Sequence, residues 1–302
     1  MNHSHRSEAT SVKSRGPLSS LATRKMISSV AIYAILVGLY ALIPAFFKSQ
    51  NRLRLLADVP ADIHAALTLV LGWLLVFRTN TSYSRWWEAR TLWGGLVNTI
   101  RNLSLKFVDL IDVPNLDLKK IHQILNAFAW TLKDHLRDGA SLEDSELFET
   151  GMTTPQHLPS FLVSKIYEKV RAWKKQGHID GHHLLVLDED IRKLLEIVGG
   201  CERIRNTRLA KSYRTFVRQC VFLYLATLPW GIVDDFGWWT VPLSAMIGYF
   251  MLGMEIAAEH TEEPFGFDED DLDLEALCRV IDSSVNEIFA RGDAAQQIAS
   301  ST

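Results

Sequence analysis

From Met26 to Phe47 the chain reads MISSVAIYAILVGLYALIPAFF, 22 residues without a charged side chain. At about 1.5 Å rise per residue, a helix of this length covers a hydrocarbon core of roughly 30 Å. The run exceeds the roughly 7 to 15 apolar residues of a signal peptide and ends without an A-x-A site, so it is expected to remain as a membrane anchor. Composition agrees, with 48% apolar residues in a chain of 302. Lys plus Arg number 32 against 35 Asp plus Glu, which leaves no basic field for a phosphate backbone and argues against a nucleic-acid partner. Cys201, Cys220 and Cys278 are odd in number and form no C-x-x-C, so neither a disulfide framework nor a zinc knuckle is expected.

A second span starts near Ile63 and runs 15 residues to Phe77, where Arg78 ends the apolar run. Helical spacing continues through RTNTSYSRWWEARTLWGGLVNTIRNL, so one helix is expected to leave the membrane and carry on. Spans three and four are read at Phe216 to Ile232, broken by Pro229, and Trp238 to Ala258, with a tight VDDFG turn between them. Trp230, Trp238 and Trp239 crowd that turn, as aromatic residues do at the headgroup level. Arg6, Lys13, Arg15, Arg24 and Lys25 precede span one, and Arg78, Arg85, Arg90 and Arg101 follow span two, which predicts both termini in the cytoplasm. Lys48, Arg52 and Arg54 run against this orientation.

The chain therefore divides into a cytosolic N-terminal segment (1–25), membrane helices one and two (26–100), a helical cytosolic region (101–215), membrane helices three and four (216–258) and a cytosolic tail (259–302). In the cytosolic region Ile121, Leu125, Phe128 and Leu132 form one helical stripe. Leu162, Ile166, Val170 and Trp173 form a second, and Leu187, Ile191, Leu194 and Val198 a third. Breaks fall near Pro114, across GMTTPQHLPS and across KKQGHIDG. The ends, Met1 to Gly16 and Gly292 to Thr302, read as frayed. The fold class is all-α, with four transmembrane helices and a helical cytosolic region.

The usual catalytic signatures, G-x-x-x-x-G-K-[ST], G-x-G-x-x-G, H-E-x-x-H and G-x-S-x-G, do not occur. His178 and His182 stand four apart, but Gly177 and Gly181 make that stretch a poor helix and a solvated loop is the better reading. The run EEPFGFDEDDLDLE, Glu262 to Glu275, lacks the spacing of an EF-hand loop. Asp268, Glu269, Asp270 and Asp271 precede an amphipathic helix, Leu274 to Phe289, whose N-terminus favours negative charge.

Span two offers a surface. Leu69, Trp73 and Phe77 recur every fourth residue, and no ionisable group lies between His64 and Arg78. Such a stripe serves either to pack against helices and lipid or to line an apolar pore that gates by dewetting. A pore requires an oligomer, because four spans are too few to wall a conduit.

Phe77-Arg78-Thr79-Asn80, Tyr83-Ser84-Arg85-Trp86-Trp87-Glu88-Ala89-Arg90, Trp93-Gly94, Gly200-Cys201-Glu202-Arg203-Ile204 and Pro264-Phe265-Gly266 with its acidic run together resemble the bestrophin family, in its short bacterial-type branch. The resemblance covers nearly the whole chain, to about Phe289. It implies a homopentameric ion channel in a bacterial inner membrane, with an apolar neck at Leu69, Trp73 and Phe77. It further implies a motif at Arg78, Asn80, Arg85, Trp86, Trp87 and Glu88 and a second constriction at the cytosolic exit, for which Leu187, Ile191 and Leu194 are candidates. Animal members bind calcium after Pro-Phe-Gly. The matching acids are Asp268 and Asp271, but Glu263 and Phe267 depart from the pattern. Animal and plant members resemble chloride channels and a bacterial-type member a monovalent cation channel. The acids Asp234 and Asp235, expected at the outer entrance, favour sodium or potassium by their field, with chloride as the alternative. A membrane-anchored metal-binding sensor or enzyme without ion flux is the rival from another class.

Overall fold

The computed structural model describes residues 21–50, 61–137, 139, 155–268 and 270–301. Arg6, Lys13, Arg15, Arg52, Arg54, Glu269 and the N-terminal tail lie outside them. The described residues are helical, without a strand: α1 Leu21–Ser49, α2 Ala61–Asp109, α3 Asn115–Leu136, α4 Leu158–Gln176, α5 Gly181–Asn206, α6 Lys211–Phe236, α7 Thr240–Glu262 and α8 Leu274–Ser301. A 3-10 turn, Gly237–Trp239, joins α6 to α7. Three stretches are long and apolar enough to cross a membrane: Ile27–Ser49, Asp62–Asp109 and Lys211–Glu262. The last contains α6, the turn and α7. The chain forms two compact units: the described residues up to Leu75 with Val217–Ile256, and Val76–Phe216 with the residues from Ala257 onward.

In the first unit α1 turns large side chains such as Ile32, Ile35, Leu36 and Leu39 outward and buries small ones, Ala34, Ala41 and Ala45. A Cβ on Gly38 would stand 3.1 Å from the Ala245 Cβ, and one on Gly248 would stand 3.4 Å from Val37. The α1 and α7 backbones therefore meet where only small residues fit, the packing that dispersion favours when water supplies no driving force. Pro229 does not end α6, which runs on to Phe236. One turn earlier the Tyr40 hydroxyl donates to the Ala226 carbonyl at 2.8 Å, and Trp230 Nε1 donates to Tyr40 at 2.8 Å. The expected VDDFG turn falls later than its composition suggests: Val233 to Phe236 complete α6, and the reversal begins at Gly237, whose φ of 52° suits a residue without a Cβ.

The second unit is a helical bundle around one core. All three cytosolic stripes are buried in it. So is the second half of α2, where Ala89, Trp93, Leu96, Ile100, Leu103 and Phe107 alternate in steps of four and three and are all 0% exposed. Each large side chain so buried contributes about 1.5–3 kcal/mol. Helix α3 packs against α4, α5 and α8, and α4 against α5. In α8 the face Leu274, Cys278, Ile281, Val285 and Phe289 closes the core. This helix continues to Ser301, through the stretch expected to fray from Gly292 onward.

Local chemistry sets the ends. Gly177 closes α4 at φ 82°, and its N–H and that of His178 return to the Lys174 and Trp173 carbonyls. Asp180 caps α5 by accepting the His183 N–H at 2.8 Å. Asp117, in the first turn of α3, accepts from Trp173 Nε1 at 2.9 Å and from Lys169 at 2.5 Å, tying α4 to α3.

Candidate functional site

The first half of α2 differs from the second. Leu69, Trp73 and Phe77 are 75%, 70% and 56% exposed, although each is large and apolar. The opposite edge of the helix, Leu71 and Leu75, is buried. An apolar stripe so exposed among the described residues is the kind of surface that lipid or another copy of the same helix covers.

At the next residue along α2 the chemistry inverts. Arg78 is fully buried and lies 3.5 Å from Glu262, itself 1% exposed. Glu262 Oε1 also accepts the Leu209 N–H at 3.1 Å, and Arg214 stands 4.0 Å from Oε2. Arg85 donates through Nε to the Glu262 carbonyl at 3.2 Å and through its two terminal nitrogens to the Ile204 and Thr207 carbonyls. Trp86 Nε1 donates to the Asp270 carbonyl at 3.0 Å, and Glu88 pairs with Arg203. Tyr83 stacks with both Trp86 and Trp87, and Trp87 keeps an exposed face. Asn80 is exposed and carries no buried contact of this kind. Most of the motif is thus a clamp that ties α2 to the ends of α5 and α7 and to the acidic segment. Glu262, the acid at its centre, has no local spacing to Arg78 in the sequence that would announce it.

In the acidic segment Asp268 and Asp271, the two acids matched to a calcium clasp, are joined to each other. Gly266 lies so close to Asp271 that a Cβ there would stand 2.6 Å from Oδ2. That oxygen already accepts the Asp268 N–H at 2.7 Å. Burial pushes the Asp271 carboxyl up to about 6. Among the described residues the carboxylates of this run do not converge with a third ligand.

Two further expectations change. Leu187, Ile191 and Leu194 are 2%, 0% and 0% exposed and belong to the bundle core, so they cannot line an exit. A stripe at helical spacing marks a buried face as readily as a pore face, and here burial wins. The apolar side chains that α5 does expose are Leu185, Val186 and Leu195. Asp234 pairs with Lys48, which neutralises half of the acid pair expected at the entrance; Asp235 is exposed.

These features, an all-helical set of described residues with membrane-length stretches, an exposed apolar stripe and a clamp of Arg, Trp and Glu on α2, mark a helical membrane protein. Residues 7–287 match the family described as bacterial/fungal bestrophin protein. A voltage-dependent anion channel-forming protein of Mesorhizobium japonicum is 35% identical over 226 residues, 72% of either chain. One from Synechocystis is 33% identical over 241 residues, 77% of this chain and 78% of its own. A crystal structure of a bacterial bestrophin homolog from Klebsiella pneumoniae superposes with a TM-score of 0.75 at 24% identity, covering 87% of this chain and 98% of that one, a likeness of fold. The chain belongs to the bacterial/fungal bestrophin family.

Proposed function

We propose that the chain is the subunit of a bestrophin-type ion channel, a homopentamer with α2 of each copy at a common axis and Leu69, Trp73 and Phe77 as its neck. The observation that carries this is the exposure of three large apolar side chains at four-residue steps on a membrane-length helix. Rings of such side chains exclude water and ions when narrow and pass them when wide. Four membrane crossings, by α1, the start of α2, α6 and α7, with both termini in the cytoplasm of the bacterial inner membrane, complete the reading. The second constriction is assigned to the exposed pair Leu185 and Val186 on α5.

The ions are small and monovalent. An anion preference is supported by the names of the relatives, which are called anion channel-forming, and by Lys48, which cancels the charge of Asp234. The exposed carboxylate of Asp235 supports the alternative, a sodium or potassium channel. A membrane-anchored enzyme or sensor seated on the acidic run has less support, because that run forms no ligand cluster among the described residues.

Purified protein in liposomes, recorded as single channels, tests the proposal. Unitary currents are expected, and their reversal potential in a threefold salt gradient reads the sign of the permeant ion. Silent bilayers from protein that is well folded would overturn the channel reading. Native mass spectrometry in detergent is expected to give five chains.

A further inference from the structure

Three side chains from three helices converge in the second unit. His135 lies in the last turn of α3, His157 is the residue that caps α4, and Glu202 lies near the end of α5. Both imidazoles direct Nε2 at the same carboxylate oxygen, His135 at 2.7 Å and His157 at 2.8 Å from Glu202 Oε1. The ring centroids are 4.9 Å apart, and the three ligand atoms lie within 4.8 Å of one another. In a tetrahedral site with bonds of about 2.0–2.1 Å, neighbouring ligand atoms stand roughly 3.3 Å apart. Small side-chain movements therefore suffice to admit an ion. The side chains of His135, His157 and Glu202 are 19%, 39% and 28% exposed, which leaves a path from solvent and room for bound water.

We propose that His135, His157 and Glu202 form a binding site for a divalent transition-metal ion of the zinc type, with water completing the coordination. Two neutral imidazoles and one carboxylate are a ligand set that a borderline cation takes in preference to calcium or magnesium.

The site is coupled to a helix end. Without metal, His157 Nδ1 accepts the Ser160 N–H at 3.1 Å, which places the ring proton on Nε2, facing Glu202. A metal on Nε2 requires that proton to move to Nδ1. There it can no longer serve as an acceptor, and the Ser160 amide loses its cap. Metal binding at Nε2 of His157 therefore loosens the first turn of α4.

Full-length protein in detergent, stripped with chelator and titrated with zinc chloride, tests this apart from conduction. One zinc per chain is expected. His135→Ala and Glu202→Gln each weaken binding by about a hundredfold or more, whereas the double change His178→Ala with His182→Ala leaves it intact. Gel filtration and thermal melting check that each variant folds, and His135→Gln, which keeps an amide donor towards Glu202, replaces any that does not. Hydrogen exchange at the Ser160 amide is expected to speed up at saturating zinc. No saturable zinc binding by the natural chain, equal binding by the folded ligand variants, or unaltered Ser160 exchange at saturation overturns the proposal.

Discussion

Arg78 and Glu262 form a fully buried ion pair, 3.5 Å apart, that joins α2 to the end of α7 within the second unit. Charge so placed is held by geometry: Glu262 keeps an amide on one oxygen and guanidinium groups beside the other. A pair of this kind costs desolvation on both sides, so its value lies less in net stability than in the penalty for losing one member.

Glu262→Gln is therefore expected to destabilise the protein by about 3–5 kcal/mol, since it removes the buried countercharge of Arg78. The double change Arg78→Met with Glu262→Gln is expected to recover a substantial part of that loss. Thermal unfolding of the single and double variants in detergent measures both. Additive losses would show that the two side chains act independently.

In the proposed neck, Trp73 is the largest of the three exposed side chains. Trp73→Ala alone is expected to raise unitary conductance several-fold, and the triple change of Leu69, Trp73 and Phe77 to Ala to raise it further while leaving the subunit count unchanged. Unchanged current in both variants would place the narrowest part of the pore elsewhere.

Much of this was legible in the sequence, and the reason is periodicity. The stripes Ile121 to Leu132, Leu162 to Trp173 and Leu187 to Val198 each required a partner helix, and each is buried in the bundle. The same signal misled at Leu187, Ile191 and Leu194, because a period reports that a face is apolar and not what covers it. Arg78 stood out as part of a motif, yet its partner Glu262 comes from the far end of α7. His135, His157 and Glu202 come from three elements with no common spacing, so only the folded chain brings them together.

The buried His64 marks a point where packing is exact enough to test. Its ring, 3% exposed, occupies the space where a Cβ on Gly231 would project. Gly231→Ala is expected to cost about 1–3 kcal/mol by overpacking. His64→Ala in the same chain removes the clash and is expected to make Gly231→Ala nearly neutral. Melting temperatures of the four members of this cycle give the coupling, and zero coupling would mean that the two residues do not meet.

Asp271 carries a pH dependence whose sign follows from its surroundings. Burial raises its carboxyl from 3.8 to about 6, so the folded chain binds a proton across that window that the unfolded chain has already lost. Stability attributable to this group is therefore present below about pH 4, declines as pH rises towards 6 and changes little above. Asp271→Asn keeps an oxygen that accepts the Asp268 N–H and removes the titration. The natural protein is expected to lose melting temperature between pH 4 and 6 relative to the variant, with the two curves running parallel from pH 7 to 8. A difference that instead grew above pH 7 would assign the effect to a group other than Asp271.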